Sequence, residues 1–154
     1  MMSAEIATNR KARHDYHILE KFEAGIELRG TEVKSIRLGH VQLQGSYAKA
    51  QGRQLFLFDC DIQPYDKAGT EQHERRRPRR LLLHRKEIEH LIAEVEQAGR
   101  TLVALRMYWS HAHVKIEVGV GKGKAASDKR ADLKQRVQER ETSQLLASIQ
   151  RRSR

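Results

Sequence analysis

Asp59 and Asp61 stand two residues apart in a stretch that reads as a strand, Gln54 to Ile62. Both carboxylates would leave one face and could hold a divalent cation for nuclease chemistry. His111 and His113 repeat that spacing in a turn, but no third ligand accompanies them at metal-site spacing. Cys60 has no neighbouring motif that would activate a thiolate. Gly119-Val-Gly-Lys-Gly-Lys124 has the composition of a phosphate-binding loop. Three residues rather than four separate its relevant glycines, however, and Ala125 stands where Ser or Thr is required. It reads instead as a hinge lined by Lys122 and Lys124. No catalytic group, metal site or cofactor is assigned, and nothing in the sequence demands an enzyme.

The more prominent chemistry is cationic. Arg10, Lys11 and Arg13 form a basic arm, and five arginines fall among the six residues Arg75 to Arg80. The last 33 residues, 122–154, hold ten Lys or Arg against four Asp or Glu. Together the three clusters point to phosphate as the ligand. Phe22, Phe56, Phe58 and Trp109 occupy alternating strand positions and are assigned to the core, which leaves no stacking platform for single strands. Recognition of a folded RNA by its shape and backbone is therefore expected. Glu23 faces away from the core beside the basic arm, where a carboxylate can accept hydrogen bonds from base amino groups or pair with a nearby cation.

The elements that must position these residues begin with a period-two pattern from Tyr16 to Leu28. Tyr16, Ile18, Phe22, Ala24, Ile26 and Leu28 are apolar and only Glu20 interrupts them, which describes one long strand with a single buried face. Gly30 is expected to end it, with Thr31 as N-cap of a short helix and Glu32 in its first turn. Val33 and Ile36 would plug a hydrophobic opening, and Lys34 and Arg37 would face solvent. Further strands are expected at Val41–Ala50, Gln54–Ile62 and near Leu81–Leu83. A helix is expected over about His84–Ala98, where Ile88, Leu91, Ile92 and Val95 recur at helical spacing before Gly99. Val103 to Trp109 and Val114 to Val120 then form a hairpin.

This order predicts a mainly β fold with helices, an antiparallel barrel of the oligonucleotide-binding type capped by short helices, over residues 1–121. Residues 122–154 read as a basic tail, disordered when free and helical when a partner holds it. The chain of 154 residues has formal net charge +10 and pI near 10.0, which favours nucleic acid as partner. No apolar run suits a membrane span or a signal peptide, and the single cysteine fits a reducing compartment. A cytoplasmic protein, monomeric when free, is expected.

Six blocks carry a family resemblance: Asn9-Arg-Lys-Ala-Arg-His-Asp-Tyr16, Phe22-Glu-Ala-Gly25, Gly30-Thr-Glu-Val-Lys-Ser35, Arg80-Leu-Leu-Leu-His84, Gly119-Val-Gly-Lys-Gly-Lys124 and Asp128-Lys-Arg130. In this order the chain closely resembles the SsrA-binding protein family, small protein B, the bacterial partner of transfer-messenger RNA. The resemblance implies a barrel that holds the tRNA-like part of that RNA and delivers it to stalled ribosomes for trans-translation. It implies RNA-facing roles for Asn9, Arg13, His14, Glu23, Lys34 and Leu82. It further implies that Lys122, Lys124, Asp128, Lys129, Arg130 and Lys134 belong to a tail that enters the empty messenger channel beside the decoding centre. Ser127 departs from the larger side chain that many members carry before Asp-Lys-Arg. Two alternatives belong to other classes: a metal-dependent nuclease built on Asp59 and Asp61, and a ribosomal structural protein.

Overall fold

The computed structural model describes residues 4–124 apart from 68, 70 and 71, together with Arg140 and Gln144. The chain divides into two units, Met1–Gly123 and Lys124–Arg154. All the strands and helices below belong to the first. The tail that the sequence reads as disordered when free and helical on a partner, with Asp128, Lys129, Arg130 and Lys134, lies outside the described residues.

In chain order the elements are β1 (Ala4–Thr8), α1 (Arg10–Asp15), β2 (Tyr16–Ile26), α2 (Gly30–Arg37), β3 (Val41–Gln42), β4 (Tyr47–Gln51), β5 (Gln54–Phe58), β6 (Asp61–Ile62), β7 (Arg79–Leu82), α3 (Arg85–Ala98), β8 (Thr101–Ser110) and β9 (His113–Gly123). Six of the strands close on themselves in the order β8-β4-β5-β7-β2-β9, because β8 also pairs with β9. This antiparallel ring is the barrel-like arrangement the alternations predict. β3 and β6 make a separate two-stranded sheet.

Two β-bulges decide which side of the ring each residue faces. The register of β2 against β9 shifts between Ile18 and Glu20, and that of β8 against β9 shifts between Ala104 and Arg106. An extra residue inverts the inside–outside alternation of everything beyond it. Phe22, Ala24 and Ile26 therefore join the main core, whereas Tyr16 and Ile18 pack with Ala12, Val103 and Leu105 in a second cluster under α1. The single buried face expected for residues 16–28 is thus two faces. The alternation Val103, Leu105, Met107, Trp109 is divided in the same way, and Leu19, left out at the bulge, is exposed.

The main core is filled by Leu55, Leu57, Leu81, Ala104, Met107, Ile116, Val118 and Val120 from the ring. α2 adds Ile36, and α3 adds Ile88 and Leu91. α3 spans the segment its periodicity predicts and stops at Gly99, whose φ of 66° is the left-handed cap geometry that glycine adopts without a Cβ penalty.

Several expected boundaries move. The segment 41–50 is not one strand: a turn at Leu43–Ser46, with Gly45 at φ 83°, separates β3 from β4. The segment 54–62 breaks at Asp59, which itself takes φ 59°. Gly30 is the first helical residue rather than the end of the strand, and Arg29 is the N-cap, its N–H donating to Glu32 Oε1 at 2.7 Å. Residues 4–15 are not a loose arm but a strand and a helix. The hinge expected at Lys122 is strand as far as Gly123, with Lys122 opposite His17 and Gly123 opposite Tyr16.

Candidate nucleic-acid interface

Four of the five arginines in the Arg75–Arg80 run are spent on ion pairs within the fold, although only Arg79 is buried. Arg79 is fully buried against the equally buried Glu32 of α2. Its guanidinium donates from Nε to that carboxylate and from NH1 to the Cys60 carbonyl at 2.8 Å, while NH2 reaches the Glu74 and Arg75 carbonyls. Arg77 donates to the other oxygen of Glu32 at 2.7 Å. Burial alone would push the Glu32 carboxyl up. The hydrogen bonds from Arg77 and the Arg29 N–H, with the Arg79 charge, more than offset this and hold it below its ordinary value. Arg75 grips Asp61 with two bonds of 2.9 Å, and Arg80 pairs with Glu27 at 3.4 Å. Arg76 alone of the five has no acidic partner among the described residues. Reading the run as a phosphate-binding cluster is therefore corrected.

The same contacts dispose of the metal pair. Asp61 is engaged by Arg75, and Asp59 sits at a left-handed residue outside both strands, so the two do not share a strand face. Burial pushes the Cys60 thiol up to about 12, which leaves it an inert core side chain. One group of three metal-capable side chains occurs among the described residues: His90 Nε2 lies 2.7 Å from Glu20 and 3.8 Å from Glu94, bridging α3 to β2. The Glu20 hydrogen bond, ahead of the charges of Glu20 and Glu94, raises the His90 pKa. An exposed ion pair of this kind needs no metal to account for it.

The basic arm is held in place by Asn9. Its side chain is 2% exposed, and its Nδ2 donates to Ala104 O at 2.9 Å and to Leu43 O at 3.2 Å. Its Oδ1 caps α1 by accepting from the Ala12 N–H. β4 pairs with β8 at Leu102 and Val103, and β1 pairs with the same strand from Arg106 to Trp109. Asn9 fills the junction between them, its own N–H bonding Leu105 O at 2.8 Å. The resemblance implies an RNA-facing role for Asn9, and in the structure its side chain holds the start of α1.

Glu23, by contrast, is exposed on the outer face of β2, as expected. Tyr108 donates its hydroxyl to Glu23 at 2.5 Å, and burial followed by this bond raises the phenol pKa. Arg106 lies 4.3 Å from the centre of the Tyr108 ring and donates to Glu117 at 3.0 Å. Arg13 of α1 reaches the other Glu117 oxygen at 3.6 Å, and His14 bonds Asp15 at 3.0 Å. This places Glu23 and Arg13 around one outer surface of β2, β9 and β8, while His14 stays on α1 against Asp15. Lys34 lies elsewhere, on α2, with its ammonium 5.4 Å from the centre of the Tyr65 ring. Leu82 is 45% exposed, next to Gly25 across the β2–β7 pairing. Lys122 is exposed at the end of β9.

The family model described as SmpB protein matches residues 6–148. The chain belongs to the SmpB family. It is 48% identical to the SsrA-binding protein of Carboxydothermus hydrogenoformans over 145 residues, covering 94% of this chain and 97% of that one. It is 49% identical to the SsrA-binding protein of Caulobacter vibrioides over 146 residues, covering 94% and 96%. Among solved structures it is similar to a chain described as "tmRNA-SmpB: a journey to the center of the bacterial ribosome", with TM-score 0.65, 47% identity, and coverage of 77% of this chain and 84% of that one.

For this SmpB-family chain, sequence reasoning missed chiefly the aromatics. Phe56 and Phe58 do not fill the core: Leu55 and Leu57 do, and the two phenylalanines lie on the opposite face of β5. Phe58 stacks on Tyr47 with ring centres 5.6 Å apart and planes 14° apart. The signal that could have found them is the strict alternation Leu55, Phe56, Leu57, Phe58, which puts only one residue type inward. The glycine motif is likewise explained by packing. A Cβ on Gly119 would stand 2.8 Å from Leu105 Cδ1, and one on Gly121 3.0 Å from Tyr16 Cβ. These glycines make room for the cluster under α1 rather than for a phosphate.

Proposed function

We propose that this chain binds the tRNA-like part of transfer-messenger RNA and delivers it, in the cytoplasm, to ribosomes stalled without a stop codon. The observation that carries the reading is membership of the SmpB family over residues 6–148, supported by the 47%-identical chain described with tmRNA. The physical features agree with it. A chain of net charge +10 presents an outer strand surface that combines cations with the exposed Glu23 carboxylate, a combination suited to RNA backbone and base edges. Glu23, Arg13, His14, Lys34 and Leu82 are the proposed contacts, with Asn9 acting by holding α1. Lys122, Lys124, Asp128, Lys129, Arg130 and Lys134 are the proposed messenger-channel contacts. Among the described residues no helix is long and apolar enough to cross a membrane.

The test is the affinity of Glu23→Ala and Lys34→Glu variants for the tRNA-like domain at physiological salt. Each should lose ~1–3 kcal/mol, with the charge reversal at the upper end. Both side chains are exposed, and the fold should persist although Glu23→Ala also removes the acceptor of the Tyr108 hydroxyl. Unchanged affinity in both variants would refute the assigned surface.

A further inference from the structure

A groove of about 680 Å³ runs between α1 and the turn that joins β3 to β4. Its volume is within the ~300–1,000 Å³ that accepts a drug-sized ligand. Two of the three basic clusters in the sequence supply it with one cation each, Lys11 from α1 and Arg76 from the arginine run. Neither has an acidic partner among the described residues, whereas the other four arginines of the run are paired. The one acid in the wall, Asp15, is bonded to His14. Tyr47 borders the groove, 36% exposed and backed by the stacked Phe58 ring. Gln42 and Gln44 line the same wall with exposed side chains.

We propose that this groove holds an unpaired ribonucleotide, with its phosphate between Lys11 and Arg76, its base on Tyr47, and its edge read by the amides of Gln42 and Gln44. The proposal rests on the reading that the chain binds RNA, and adds a single-stranded component to it. The chemistry is selective for that ligand. Cations alone would suit any phosphate, but a supported aromatic ring offers its face to a base only when that base is free of duplex stacking. Amides that both donate and accept complement the edge of such a base once it is unpaired.

The experiment uses the full chain and a single-stranded hexaribonucleotide carrying 2-aminopurine, whose fluorescence reports stacking. The wild type should bind it and quench the probe. Tyr47→Ala should abolish the quenching and weaken binding about tenfold, while Tyr47→Phe should keep both. Lys11→Glu with Arg76→Glu should weaken binding by a similar factor and flatten its salt dependence. All of these side chains are exposed, and far-ultraviolet circular dichroism checks that the variants fold. Wild-type quenching by Tyr47→Ala would overturn the proposal, as would equal competition by an oligoglutamate peptide. The affinity for the tRNA-like domain, measured in parallel, keeps the two readings apart. If that domain binds and the hexanucleotide does not, the groove is wrong and the proposed function stands. If the hexanucleotide binds and the domain does not, the reverse holds.

Discussion

At the scale of single residues, Glu32 carries the heaviest structural role. It accepts from Arg77, from the Arg29 N–H and from Arg79, and so joins α2 to the segment leading into β7. Replacing it with alanine leaves Arg79 buried without a counter-charge. Breaking a buried pair from one side costs about 3–5 kcal/mol, so Glu32→Ala should lower the urea midpoint accordingly while Arg37→Ala on the exposed face should not. The pH dependence has a fixed sign. The folded-state carboxyl lies below 4.5 and the unfolded one near it, so the unfolded chain binds more protons between the two values. The pair's contribution is complete above about 4.5 and is lost as pH falls through the folded value. Glu32→Gln should therefore show a shallower acid limb in denaturation midpoints measured from pH 6 to 3. An identical acid limb would remove Glu32 from the account. None of this was legible in the sequence, where Glu32 reads only as an anion in the first turn of a short helix. Its partner lies 47 residues away, and local pattern carries no information across that gap.

At the scale of elements, periodicity identified what it could. β2, α3 and the β8–β9 hairpin were legible because their patterns run for ten residues or more. What it missed has a common cause: one inserted or left-handed residue changes the pattern without announcing itself. Leu19 and Leu105 at the bulges, and Asp59 with its positive φ, are of this kind. β1 was missed because Ala4 and Ile6 are too few to show alternation and find their partner only in β8. The two-sided packing of β8 and β9 makes a direct prediction. Gly119→Ala would put a Cβ 2.8 Å from Leu105 Cδ1 and 3.2 Å from Ile18 Cγ2. Overpacking of this sort costs roughly 1–3 kcal/mol, and the loss should appear in thermal unfolding. If a loose phosphate loop occupied 119–124 instead, alanine there would be neutral. Asn9→Ala should likewise destabilise by about 1–3 kcal/mol, since Ala104 O and Leu43 O each lose the Asn9 amide donor at a buried site.

At the scale of the whole molecule, a folded first unit and a basic second one suggest separable duties in the proposed reading. Ending the chain after Gly123 keeps β9 whole and removes none of the proposed contacts on the first unit. Binding to the tRNA-like domain should survive with a modest loss, because residues 124–154 hold nine Lys or Arg against four Asp or Glu. Tagging of a nascent peptide on a ribosome stalled at the end of a truncated message should fail. Full tagging by the shortened chain would remove the tail from the mechanism. The central claim is more general, namely that transfer-messenger RNA is the ligand. It is tested most directly by sequencing the RNA that co-purifies with the full chain from its own cells at physiological salt. The account predicts that transfer-messenger RNA is enriched far above its share of the lysate and above transfer RNAs. Recovery of RNAs in proportion to their cellular abundance would contradict it.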